Sequence, residues 1–228
     1  MEIMDRESDQ RNKRIHNRLT VAREGLPFIG AGVALTVILL GLDFRWASVA
    51  AGLLTLFIVY FFRDPERRPA GLEPAVLAPA DGRVLGVHEL PGADNPLGQP
   101  AVKVSIFMSV FNVHVNRIPA AGLISGISYR PGRFFSANLD KASEQNEHNR
   151  IILETPSGTR LAFVQIAGLI ARRIACWVKE GDEVVAGQRF GLIRFGSRVD
   201  VYLPRQVRMV VEKSQKVKAG QTILGYLS

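Results

Sequence analysis

The chain has 228 residues, 47% of them hydrophobic, and a formal net charge of +8; that is enough apolar material for a core and excludes wholesale disorder. The single cysteine, Cys176, excludes an intramolecular disulfide and a Cys-based metal cluster, and its apolar neighbours Ile174, Ala175, Trp177 and Val178 mark it as a buried small hydrophobe. The positive charge calls for an anionic partner, but no nucleic-acid motif or repeated basic–aromatic pattern accompanies it, which leaves an acidic membrane surface.

In chain order, residues 1–25 form a basic segment with Arg11, Lys13, Arg14, Arg18 and Arg23. Two apolar runs follow, 26–42 and 46–62, broken only by Asp43, Phe44 and Arg45. Each run is about 25 Å long as a helix, the lower limit for crossing a bilayer, and apolar residues cover every face rather than one stripe. A cleaved signal peptide fits poorly, because two runs follow a long charged lead-in with no small-residue cleavage pattern. Arg63, Arg67 and Arg68 follow the second run and only Arg45 sits in the turn. Positive charge at both outer ends predicts a membrane-embedded helical hairpin (26–62) with both ends on the cytoplasmic side.

Residues 63–71 read as a charged, proline-broken linker. From residue 72 onward, short β-type runs separated by glycine and proline predict strands near 83–88, 102–107, 151–154, 160–166 and 207–212. One helix is predicted over 136–149, where β-branched residues are few. Near the end the chain echoes itself: Val184-x-Ala186-Gly187-Gln188 returns as Val217-x-Ala219-Gly220-Gln221. Such turn–strand units resemble those of lipoyl and biotinyl carrier domains. The expected fold is therefore mainly β: a compact antiparallel domain over 72–228 resembling a barrel-sandwich hybrid, preceded by the N-terminal hydrophobic hairpin.

Taken singly, the chemistry-bearing residues say little. Asp81 lies in Pro79-Ala80-Asp81-Gly82, where Asp is favoured simply as a turn former. His114 lies in an apolar run, where a structural histidine is the commoner case. Ser197 follows Gly196 at the start of a strand-like run, and such a pair often marks a turn or bulge. The four histidines, His16, His88, His114 and His148, lack metal-ligand spacing, so no metal is expected. No phosphate-binding glycine loop, dinucleotide fingerprint or Gly-x-Ser-x-Gly elbow is present.

Together, these blocks resemble the phosphatidylserine decarboxylase family in its short prokaryotic form. The resemblance runs through the hairpin, the 79–82 turn, Phe111-Asn112-Val113-His114-Val115-Asn116-Arg117, residues 131–143, Asn146-Glu147-His148-Asn149, and 195–204. It implies self-cleavage at Gly196–Ser197 into a β chain of residues 1–196 and an α chain of 197–228, with Ser197 becoming a covalent pyruvoyl group. It further implies His114 as the base for that cleavage and Asp81 as the group that orients it. The pyruvoyl ketone would form a Schiff base with the substrate amine and take up the electrons released with CO2, giving phosphatidylethanolamine. Arg133, Lys141 and His148 are the implied substrate-binding residues, although solvated basic residues beside a membrane explain the first two equally well. The implied partners are a phospholipid and an anionic membrane, with the α and β chains as a heterodimer and a homo-oligomer compatible with the sequence.

Two positions depart from the family pattern. Longer-chain relatives carry another histidine three residues before the place of His114, where this chain has Phe111, and the family more often has Arg where His148 stands. Either His114 serves twice or another group, such as His148, supplies the later proton. Alternative readings are a decarboxylase of another serine-headed lipid, archaetidylserine, and a membrane-tethered carrier or adaptor without enzymatic activity. The repeat favours the carrier, but its modified-lysine tripeptide Met-Lys-Met does not occur, and Asp140-Lys141-Ala142 lies in the 131–143 block, outside the repeat.

Overall fold

A computed structural model describes residues 11–17, 19–70, 74–132, 146–168, 173–194 and 197–227. The chain divides into two compact units, Met1–Glu66 and Arg67–Ser228.

In the first unit two helices, Leu26–Gly41 and Arg45–Phe61, run where the apolar stretches predict them. Pro27 suits the first turn of the earlier helix, where its missing N–H costs nothing. The turn between the helices is set by Asp43, held at φ 61°. Small residues meet across the pair: a Cβ added at Gly32 would lie 2.5 Å from Thr55 Oγ1. Thr36 and Thr55 return their hydroxyls to the carbonyls of Gly32 and Ala51, so no polar group is offered outward there. Large side chains instead point out, with Trp46 89% exposed and Leu40, Leu42, Leu53 and Leu56 also exposed. An apolar surface this continuous marks an interaction site. With its preceding 3-10 turn, the first helix (Arg23–Gly41, 19 residues) is long and apolar enough to cross a membrane, whereas Arg45–Phe61 is shorter. At the open end Phe62 stacks on Phe28, and Asn17 donates to Asp64 at 3.1 Å.

The second unit is mainly antiparallel β, as the sequence predicts. Its strands are β1 (Ala75–Leu77), β2 (Gly82–Leu90), β3 (Ala101–Met108), β4 (Val115–Arg117), β5 (Gly122–Arg130), β6 (His148–Glu154), β7 (Arg160–Ala167), β8 (Ile174–Cys176), β9 (Glu183–Val184), β10 (Arg189–Ile193), β11 (Ser197–Pro204), β12 (Arg208–Met209), β13 (Lys216–Val217) and β14 (Ile223–Tyr226). They make an eight-stranded sheet in the order β13-β2-β3-β11-β7-β6-β5-β9 and two three-stranded sheets, β4-β10-β8 and β1-β14-β12. The core gathers Val104, Ile106, Ile151, Leu153, Phe163, Phe190, Leu192, Val199, Val201 and Leu203, all fully buried. Phe163 and Phe190 meet edge to face at 4.9 Å.

The internal echo is a repeated turn. Gly187 and Gly220 occupy equivalent places with φ near +79° and +69°, a conformation that glycine adopts without a Cβ penalty. One turn earlier, Gly181 is matched by Ser214 at φ 70°. The predicted helix over 136–149 is corrected at its C-terminal end: His148 and Asn149 are strand residues of β6, paired with β5 and β7. The remainder of that prediction, apart from Asn146 and Glu147, lies outside the described residues. Tertiary pairing overrides weak helical preference here, because residues 148–154 have partners on both sides.

Candidate active site

Ser197 opens β11, the strand between β3 and β7. It stands opposite Met108 on one side and Ala167 on the other and is fully buried. Its Oγ donates to the Met108 thioether at 3.5 Å. Asn116 Nδ2 donates to the same sulfur at 3.7 Å, Gln165 donates to Asn116 Oδ1 at 2.9 Å, and Asn149 donates to Gln165 Oε1 at 3.0 Å. Three buried carboxamides thus line up donor to acceptor and end on Met108. Ala167, opposite Ser197, is fixed from the other direction: its N–H donates to the Glu147 carbonyl and its carbonyl accepts from Asn146 Nδ2. The block at 146–149 therefore supports the strand position facing Ser197.

The opposite face of β11 holds a second polar cluster. Arg198 and Asp200, two residues apart and so on one side of the strand, pair at 2.6 Å, and Arg198 also donates to Ser105 Oγ at 2.7 Å. The pair is almost wholly buried, with 2% and 0% side-chain exposure.

His114 is fully buried just before β4, and its carbonyl accepts from the Ile193 N–H at 3.4 Å. Asp81 lies in the turn that starts β2. A Cβ on the following residue, Gly82, would overlap the Phe107 carbonyl, which accounts for the Asp-Gly pair at this crossing. Arg67 grips the Asp81 carboxylate with both terminal nitrogens, Nη1 to Oδ1 and Nη2 to Oδ2, the latter at 2.8 Å. The Ala219 N–H donates to Oδ1 at 2.8 Å. Among the described residues, no hydrogen bond joins Asp81 to His114.

The other sequence-predicted residues are placed as follows. His148 is buried at the start of β6, with Nδ1 2.8 Å from the Asn146 carbonyl. A carbonyl only accepts, so Nδ1 carries a proton. Phe111 is 64% exposed on the turn after β3. Gly196, Arg133 and Lys141 lie outside the described residues. Cys176 is half-buried in β8 rather than fully buried, and burial pushes its thiol above the usual value, so thiolate is scarce at neutral pH. No group of three His, Cys, Asp or Glu among the described residues is arranged to hold a metal ion.

Sequence reasoning passed over Arg67, Met108, Gln165 and the Arg198–Asp200 pair. The available signal was a polar or charged residue at an inward position of a strand, where burial demands a partner.

The comparisons agree with one another. The model of a family described as phosphatidylserine decarboxylase matches residues 54–225. A phosphatidylserine decarboxylase proenzyme of Syntrophus aciditrophicus is 52% identical over 90% of this chain and 96% of its own. One of Pelobacter propionicus is 50% identical over 91% and 96%, and one of Desulfotalea psychrophila is 48% identical over 92% and 98%.

Proposed function

This chain belongs to the phosphatidylserine decarboxylase family and is a decarboxylase, and on that premise we propose that it matures by cutting its own Gly196–Ser197 bond. The reading as a carrier or adaptor without activity is set aside by that family membership; the repeated turns serve the fold. The reaction proposed for the mature enzyme is decarboxylation of phosphatidylserine to phosphatidylethanolamine and CO2 at the cytoplasmic face of the membrane.

Ser197 Oγ attacks the Gly196 carbonyl carbon. The C–N bond breaks, and an ester joins residue 196 to the side chain of residue 197. His114 is the base that takes the hydroxyl proton and returns it to the departing nitrogen. Loss of the residue-197 α proton then expels the Gly196 carboxylate from Cβ. The resulting dehydroalanine, now N-terminal, tautomerises to an imine and takes up water, releasing ammonia and leaving a pyruvoyl group. That group supplies an electron sink for the pair set free with CO2. Asp81 contributes a fixed negative charge to the His114 step. Three of its roughly four acceptor positions are engaged by Arg67 and Ala219, which leaves one on Oδ2.

The observation that carries this reading is the partner of Ser197. A structural serine at a fully buried strand position is expected to give its proton to a carbonyl or carboxamide. Here the acceptor is a thioether, among the weakest available, so the hydroxyl is lightly held and ready to change partners. Supporting the membrane assignment are the outward-facing leucines of the hairpin and the 19-residue apolar helix. A two-chain lipid stays in the bilayer at about 0.8 kcal/mol per buried CH2, so an enzyme acting on it gains from being anchored there.

Intact-mass analysis of the purified protein tests the proposal. We expect two chains, residues 1–196 and 197–228, the smaller refractory to Edman sequencing because its N-terminus is a ketone. A single 25.1 kDa species after prolonged incubation would overturn it.

A further inference from the structure

Arg67 stands in a stretch that the sequence marks only as a charged linker, yet its side chain is 7% exposed and that of Asp81 is 11% exposed. Its guanidinium holds Asp81 in the bidentate fashion that fixes both position and plane. The same Nη1 donates to the Ala219 carbonyl at 2.8 Å, while the Ala219 N–H donates back to Asp81 Oδ1. Arg67, Asp81 and Ala219 therefore close a ring of four hydrogen bonds. The chain beyond Arg67 is seated as firmly: Ala70 N–H donates to the Gly220 carbonyl, and a Cβ at Gly187 would lie 2.6 Å from the Pro69 ring. A solvated linker needs none of this.

The chemistry of the ring bears on Asp81. Without Arg67 the carboxylate would keep, among the described residues, the Ala219 N–H as its partner, and a buried anion so poorly partnered is costly to hold in place. With Arg67 it is an anion of fixed orientation with one acceptor position remaining. We propose that Arg67 is a positioning residue for self-cleavage, acting through Asp81. This rests on the reading of Gly196–Ser197 as the cleaved bond and His114 as the base that Asp81 serves. Arg67 touches no reacting atom in this scheme, so it is not a catalytic residue.

The test is a double-mutant cycle on the full-length chain in detergent, with the rate of appearance of the 197–228 fragment as the readout. Arg67→Met is expected to slow cleavage on the order of 10- to 100-fold in the native background. In an Asp81→Asn background, already slowed, it should change the rate by less than about twofold, because the group it acts on has gone. Arg67→Lys keeps the charge but loses the fork, so it should fall between native and Arg67→Met. A merely structural arginine would slow cleavage by the same factor in both backgrounds, and that result overturns the proposal. So does an Arg67→Met chain that cleaves within about twofold of native. If Arg67→Met does not fold, the same comparison is made with Arg67→Lys, and equal slowing in both backgrounds again overturns it. A native chain that never cleaves removes the underlying reading, a failure distinct from native cleavage that is indifferent to Arg67.

Discussion

Ser197→Ala should remain a single full-length chain with no decarboxylase activity. The substitution removes one oxygen from a fully buried site where, among the described residues, the hydroxyl bonds to a thioether, so little stability is lost with it. What disappears is the proposed nucleophile and the source of the ketone. His114→Ala is expected to differ in degree: the hydroxyl remains, and loss of a positioned general base slows cleavage by roughly 10²- to 10⁴-fold. The measurements are the mass of the purified protein over days and CO2 release from phosphatidylserine. Cleavage of Ser197→Ala between residues 196 and 197 would dismiss residue 197 as the nucleophile, and His114→Ala maturing at the native rate would dismiss His114 as the base.

Asp200→Ala should give the largest loss of stability of any single change near the site. Asp200 balances the Arg198 guanidinium in a position with essentially no solvent. Removing one partner of a buried pair costs about 3–5 kcal/mol, because the remaining charge is left in a low-dielectric environment. Domains of this size are stable by only about 5–15 kcal/mol, so the variant would sit close to unfolding. Joint replacement, Arg198→Met with Asp200→Leu, should cost less than Asp200→Ala alone, since it removes both charges and keeps apolar volume. Thermal unfolding in a Ser197→Ala background measures both without the complication of a cut chain. A Tm for Asp200→Ala within about 2 °C of its parent would correspond to under about 1 kcal/mol and would deny the pair this importance.

The sequence made some features plain because their signals were local. Uninterrupted apolar runs with basic flanks announce a hairpin whatever lies around them, and alternating β-branched runs announced β2, β3 and β7 within a residue or two. The repeat around Gly187 and Gly220 was legible because each turn requires the same backbone angle at the same offset. Residues whose meaning depends on distant partners were opaque. Arg67 and Asp81 are 14 positions apart and Ala219 lies 152 positions from Arg67, so the ring they close cannot be seen in any window of sequence. Met108 read as filler in an apolar strand, and only the pairing of β3 with β11 places its sulfur at Ser197. The reading of 146–149 as helical failed for the same reason, since its strand partners come from residues 129–130 and 165–166.

The placement of residues 197–227 has a consequence for the order of events. This segment supplies β11, flanked on both sides in the large sheet, and β14, flanked on both sides in a small one, while β13 borders β2. Ser197 meets Met108, a residue 89 positions earlier, only once β11 has paired with β3. A chain cut at 196–197 before folding would have to bring in its last strands from solution, at a concentration-dependent cost that a continuous chain avoids. In the proposed maturation, the uncut polypeptide acts as its own template: the bond would serve as a tether during folding and be cut once the finished sheets hold both pieces. Under the proposed cleavage, the break would thus be a clock as well as a chemical step, set by assembly and without a return path.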